Sequence, residues 1–409
     1  MSAETTESTA RTETFDSAAF RAAFPSLESG IAHFDGPGGT QTPRVVGEAM
    51  ARTVTGPLSN RFEGALSEQN AEDAVTSFRS AFADLLGADP RGVVYGRSAT
   101  QLTFDLSRAI ALNWRPGDEV VVTRLDHDAN VSPWLLAAAA IGAEIRWLDF
   151  DPETAELADP KGVITDRTRV VAVTAASNLL GTKPPLRQIA DAAHAVGALV
   201  YVDGVHYAAH HLPDLTGFGA DLFVCSPYKF FGPHCAVLAA SPELLESLQP
   251  DKLAPATDVV PERFELGTLP YEVMAGATAA VDFIAEAVPG EGSRRERLAR
   301  SYEGFDEHEQ RLREVAEQGL IDLGATVYSR AQHRTPTLLA TFPGRASADA
   351  YRFLLTKNVL APAGFFYAHQ AELRLALDDP DALRVGMAPY TTDDDVARLL
   401  DGLAEFLAT

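Results

Sequence analysis

The chain has 409 residues, 46% hydrophobic and 22% charged, with a formal net charge of −23. That length exceeds one ordinary core, so two domains are expected, and the composition is that of a soluble globular protein. The acidic balance disfavours nucleic acid and anionic membranes as general partners but does not bear on a small anion held in a local site.

The first stretch, "MSAETTESTARTET", lacks the apolar segment of a secretory signal. Residues 1–18 are expected to be a disordered tail. The chain's two cysteines, Cys225 and Cys235, are too few for a disulfide framework, which fits a reducing cytoplasm. The longest apolar run, "WLLAAAAIGA" (134–143), falls short of the ~18 residues of a membrane helix and reads as a buried helix.

From "GVVYG" (92–96) onward, short apolar runs alternate with helical segments. The runs are "EVVVTRL" (119–125), "EIRWLDF" (144–150), "RVVAVTAAS" (169–177), "LVYVDGVH" (199–206) and "LFVCSP" (222–227). Continuous apolar character marks strands covered on both faces. Residues 98–112 and 185–197 carry helical spacing. An α/β layered domain with a mainly parallel sheet is expected over 19–275, its first residues free to pack on a second domain. Over 276–409 the pattern becomes that of a smaller α+β domain. It comprises a long Arg- and Glu-rich helix with a solvated face, strands near "TPTLLATF" and "LRVGMAPY", and a last helix capped at Thr392.

Ligands of such sheets sit at the carboxyl ends of the strands. Several chemistry-bearing residues fall there. Ser98, Ala99 and Thr100 open a helix, which makes either a phosphate cradle or an ordinary Ser N-cap. His127 in "RLDHDANVSPW" could stack on a flat ring or be a plain loop residue. Asn178 in "AASNLLGT" could donate to a phenolic oxygen or belong to a turn. Asp203 ends a strongly apolar strand, where a carboxylate is costly unless it meets a cation or caps the next turn. Lys229 in "SPYKFFGPH" lies 26 residues on. Its aromatic neighbours allow a snorkelling lysine, which local sequence favours, or a lysine destined for a Schiff base. An amine, a carboxylate and phosphate donors on successive strand ends together suit pyridoxal 5′-phosphate (PLP).

The set "SATQ", "DHDAN", "SNLLGT", "DGVH" and "SPYKFFGPH" resembles the class V aminotransferase family of fold-type-I PLP enzymes, closest to its cysteine-desulfurase-like branch. "HFDGPGGTQTP" (33–43) and "LRVGMAPYTTDDDVARLLDGL" (383–403) extend the resemblance over nearly the whole chain from about residue 20. It reverses the local reading of Lys229, which would carry the cofactor as a Schiff base. It implies that Asp203 pairs with the pyridinium, that His127 stacks on the ring, and that Asn178 and His206 lie near its phenolic oxygen. Ala99, Thr100 and Ser226 would bind phosphate, and Arg384 the substrate carboxylate. Thr268 would reach the phosphate of a second subunit, implying a homodimer. No metal is called for.

Two departures narrow the function. The stretch matching the desulfurase mobile loop, "NVLAPAGFFYAHQAELRLAL" (358–377), has no cysteine, and Asp128 stands where a second histidine is common. The expected activity is elimination of a β- or γ-substituent, such as a C–S bond, from an L-amino acid. An aminotransferase or epimerase of the same fold, and a non-catalytic binding protein, are the alternatives.

Overall fold

The computed structural model describes residues 14–62 and 64–409. Most of the expected tail, residues 1–13, lies outside them. The tail expectation fails for the last five residues. Asp16 caps the helix Ser17–Arg21, accepting from the N–H groups of Ala18 and Ala19, and Phe15 packs edge-on against Phe20 and Phe305. Polar composition did not outweigh one well-placed aromatic ring.

Seven strands form the central sheet: β1 (Val93–Gly96), β2 (Glu119–Thr123), β3 (Glu144–Leu148), β4 (Thr168–Thr174), β5 (Leu199–Asp203), β6 (Leu222–Cys225) and β7 (Ala236–Ala240). Their spatial order is β1-β7-β6-β5-β4-β2-β3. Only β7 runs against its neighbours, so the other six share one direction. Alternate residues feed two separate cores. Val171, Val200, Val202 and Phe223 pack on one face, Val170, Ala172, Tyr201 and Val224 on the other. This two-sided burial is why the strands read as unbroken apolar runs.

The carboxyl ends of β1, β2, β4, β5 and β6 therefore meet along one edge, which brings Ser98, His127, Asn178, Asp203 and Lys229 together. A second, antiparallel sheet of Thr326–Val327, Thr337–Thr341 and Leu383–Gly386 carries Arg384. Near the other end of the chain, Ala32–His33 pairs with Val359–Leu360. The long helix Arg294–Asp322 is less solvated than its composition suggests: Glu309 is fully buried, 3.0 Å from His210 Nδ1. The helix Ser132–Ile141 is only half-buried, with Trp134 inside and Leu136 exposed.

Candidate active site

Asp203 closes β5 and points into a cavity at the strand ends. The next residue must be glycine, since a Cβ at Gly204 would lie 1.8 Å from the Phe223 ring. One Asp203 oxygen accepts from Val205 N–H at 2.8 Å, so the turn-capping reading holds as well. The other oxygen has no hydrogen-bond partner among the described residues. Burial pushes the Asp203 carboxyl up to about 6, against the Val205 N–H and the nearby Lys229 cation.

Lys229 lies in the short turn Pro227–Lys229 that follows β6. Its ammonium donates to the Pro37 carbonyl and sits 5.1 Å from the Tyr228 ring centre. At 9% exposure it does not snorkel. Burial, reinforced by Arg384, lowers its pKa to about 7, with Asp203 opposing. A model lysine at neutral pH holds roughly one free amine in 3,000; here the fraction approaches half.

His127 caps the turn Asp128–Asn130, its Nδ1 accepting from Ala129 N–H at 3.0 Å, and burial lowers its pKa to about 4. The ring is therefore neutral near pH 7 and free to lie against a flat π-system. The His127 carbonyl accepts from Asn130 N–H at 2.9 Å, and the Asn130 side chain belongs to a network the sequence reading passed over. Asn130 Nδ2 donates to Asp126 Oδ1 at 2.7 Å, Thr123 Oγ1 donates to Asp126 Oδ2, and Trp134 Nε1 donates to Asn130 Oδ1 at 3.1 Å. Asp126, Asn130 and Trp134 sit on a bend, a single 3-10 turn and the helix Ser132–Ile141 respectively, so no helical periodicity announces them. Burial, augmented by the Asp203 charge, raises Asp126 to about 8.

Ser98 Oγ accepts from Gln101 N–H at 3.1 Å as an N-cap of the helix Ala99–Ala111. Beneath the cap, the N–H groups of Ala99 and Thr100 have no hydrogen-bond partner among the described residues, and both residues line the cavity with Ser226. The two readings of this segment are compatible: the cap serves one amide and leaves two for an anion.

Asn178 Nδ2 donates to the Phe366 carbonyl at 2.9 Å, and its main-chain oxygen accepts from Arg384 Nη1 at 3.0 Å. Gly181 at φ +75° closes the same turn. His206 Nε2 lies 2.9 and 3.0 Å from the hydroxyls of Thr335 and Thr337, and burial holds its pKa far below the usual imidazole range. At this site the buried atoms Asn178 Oδ1, His206 Nδ1 and Arg384 Nε have no hydrogen-bond partner among the described residues.

Arg384 is buried and lies 3.7 Å above the Phe366 ring, and burial brings its pKa down to about 9. Phe366 and Tyr367 both adopt left-handed backbone, at φ +54° and +56°. Such residues carry about 1–3 kcal/mol of strain each and need external fixing. Asn178 holds the Phe366 carbonyl, and the Asp128 N–H holds that of Tyr367 at 2.8 Å. The Tyr367 ring then stacks on His127, with ring centres 5.6 Å apart.

Of the residues given a cofactor- or substrate-binding reading from sequence, all but Thr268 thus line this cavity or the one adjoining it. Thr268 is exposed on the segment after Phe264 and lines no cavity with the others. Sequence reasoning missed Asp126, Asn130, Pro37, Phe366 and Tyr367. A polar, planar ligand fits the convergence. Two free amides suit a phosphate, unpartnered His206 Nδ1 a polar ring substituent, and the unpaired Asp203 oxygen a protonated ring nitrogen. Lys229 supplies an amine beside them, so the residues present fit PLP.

Comparison with known proteins agrees with this geometry. A family model described as aminotransferase class-V matches residues 32–399. Protein MT3887 of Mycobacterium tuberculosis is 31% identical over 395 residues, covering 95% of this chain and 99% of its own. A cysteine desulfurase of Escherichia coli O9:H4 is 28% identical over 334 residues, 76% of this chain and 79% of that one. The crystal structure of the Escherichia coli cysteine desulfurase CsdA superposes with a TM-score of 0.84 at 26% identity, covering 96% of this chain and 99% of that one.

Proposed function

Because the chain belongs to the class V aminotransferase family of PLP-dependent enzymes, we propose that it is a cysteine-desulfurase-like C–S lyase that works without a sulfur-accepting cysteine. The observation that carries this reading is the placement of Lys229 and Asp203 on adjacent strand ends of one buried cavity, with Arg384 facing them from the second sheet.

When bound, PLP supplies an aldehyde that captures the substrate amine and a ring that draws electrons from the bonds at Cα. The rest falls to the protein. Ala99, Thr100 and Ser226 hold the phosphate. His127 covers one face of the ring, and Asp203 retains the proton on the ring nitrogen. Arg384 binds the α-carboxylate, its orphaned Nε and its free Nη2 offering a fork. That fixes Cα beside Lys229 Nζ. With its lowered pKa, Nζ takes the Cα proton as a neutral amine and can return it to the departing group.

Neither cysteine is placed to accept sulfur. Cys225 lies within β6 and Cys235 just before β7; both are buried, and burial drives both thiols far above the usual range. Replacing both by alanine should leave turnover within about twofold. A loss beyond tenfold in a folded double variant would restore a persulfide role.

Arg384→Ala should raise KM for α-amino acids by roughly 10–100-fold, the worth of a charged hydrogen-bonded pair, with a smaller change in kcat. An unchanged KM would move the carboxylate site elsewhere. The reaction class is tested with a panel of L-amino acids, assayed for keto acid, ammonia, sulfide and racemised product. Keto acid and ammonia released without an added 2-oxo acid are expected. Product formed only when a 2-oxo acid is supplied would make the enzyme an aminotransferase, and racemisation alone would make it an epimerase.

We also propose a homodimer in which Thr268 reaches the phosphate of the neighbouring site. Its support is the exposure of Thr268 together with that of the apolar Val259 and Leu266 nearby. Among the described residues no helix is long and apolar enough to cross a membrane; the cytoplasm is the proposed location.

A further inference from the structure

Beyond the cofactor slot lies an outer cavity of about 590 Å³, bounded by Arg384 and Lys229 and, elsewhere on its wall, by Asp128. We propose that Asp128 is a specificity-determining residue that selects substrates carrying a cation on the side chain; this rests on the C–S lyase reading above.

The cavity shares Thr100, His127, Asn178, Tyr228 and Lys229 with the cofactor slot and continues past them to Phe104, Asp128 and Ser132, which leaves that far end for a substrate side chain. Its charges are unevenly placed. Arg384 and Lys229 attract the α-carboxylate end, and His127 is neutral near pH 7. Among the described residues, Asp128 is the only carboxylate lining this cavity. Its Oδ2 accepts from Ser132 Oγ at 2.8 Å, while Oδ1 has no hydrogen-bond partner among the described residues. No lysine, arginine or histidine among them lies within ion-pair distance of it.

Asp128 is also held firmly in place. Its N–H donates to the Tyr367 carbonyl, and its carbonyl accepts from Val131 N–H at 3.0 Å. Phe104, Tyr228, Phe366 and Tyr367 line the same cavity. Aromatic faces and one unpaired carboxylate are the environment that recognises a desolvated cation. A neutral or anionic substituent would leave the carboxylate without a partner.

The test uses two nearly isosteric thioethers, S-(2-aminoethyl)-L-cysteine and S-propyl-L-cysteine, on the PLP-loaded enzyme. Binding is read from the change in cofactor absorbance, and turnover from keto acid release. The wild type should favour the aminoethyl compound at least tenfold in both. Asp128→Asn should reduce that ratio to within about threefold of unity. Equal handling of both compounds by the wild type, or a parallel fall in Asp128→Asn with the ratio kept, overturns the proposal while leaving the lyase reading intact. If neither compound alters the absorbance, the lyase reading falls and the proposal falls with it.

Discussion

Lys229→Ala is expected to lower turnover by at least about 10³-fold, the scale of losing a positioned acid–base group, and to end covalent trapping of the cofactor by borohydride. The chain has five lysines: Lys161, Lys183, Lys229, Lys252 and Lys357. Peptide mapping after reduction therefore gives a clear answer. Lys183 is the strongest competitor, because burial lowers its pKa too and its Nζ lies 3.0 Å from His211 Nε2. It lines a different cavity, however, near the start of the helix Leu186–His194. Label recovered on Lys183 would refute the assignment. A pH series adds an independent check. Only the neutral amine attacks an aldehyde, and its fraction grows as pH rises through the folded-state pKa. Cofactor loading should accelerate between about pH 6 and 8 and then level off, following the value of about 7 that burial and Arg384 impose. Acceleration continuing to about pH 10 would mean an ordinary solvated lysine.

Much of this site was legible because its pieces lie at strand ends. Buried parallel strands declare themselves as apolar runs, so an Asp or Lys terminating one stands out; Asp203 is legible this way, whereas the cofactor role of Lys229 comes from the family resemblance, against a local reading that favours snorkelling. The family resemblance supplied Arg384 and His206, which have no such local signal. What stayed hidden depends on contacts between distant parts of the chain. The Phe366–Tyr367 segment reads as an apolar loop, yet it meets Asn178, 188 residues away, and the Arg384 guanidinium. Nothing local states that two successive non-glycine residues will adopt positive φ. β7 was missed because "AVLAA" is short and small, and its antiparallel direction follows from an immediate return beside β6. Thr335 and Thr337 were read as part of a strand, and only the fold brings their hydroxyls to His206.

Asp203→Asn tests the electrostatic half of the site and should cut turnover by about 10²–10³-fold while leaving cofactor content nearly intact. The argument is one of charge. Two opposite unit charges about 4 Å apart attract by about 4 kcal/mol at an effective dielectric constant near 20. That corresponds to roughly three pKa units on the ring nitrogen. Asparagine preserves the shape and the bond from Val205 N–H, but carries no charge to hold that proton. The phosphate contacts at Ala99, Thr100 and Ser226 and the amine of Lys229 lie elsewhere in the cavity, so binding should survive. Asp126, raised to about 8 and close enough to feel Asp203, is a carboxyl that could substitute. Its oxygens are already engaged by Thr123 and Asn130. Turnover in Asp203→Asn within about threefold of wild type would remove Asp203 from the mechanism. Parallel loss of cofactor and activity would instead make it a binding residue. The double variant Asp203→Asn/Asp126→Asn separates a third case. If Asp126 stands in for the missing charge, the second substitution should deepen the defect above about pH 8, where Asp126 gives up its proton, and change little below it.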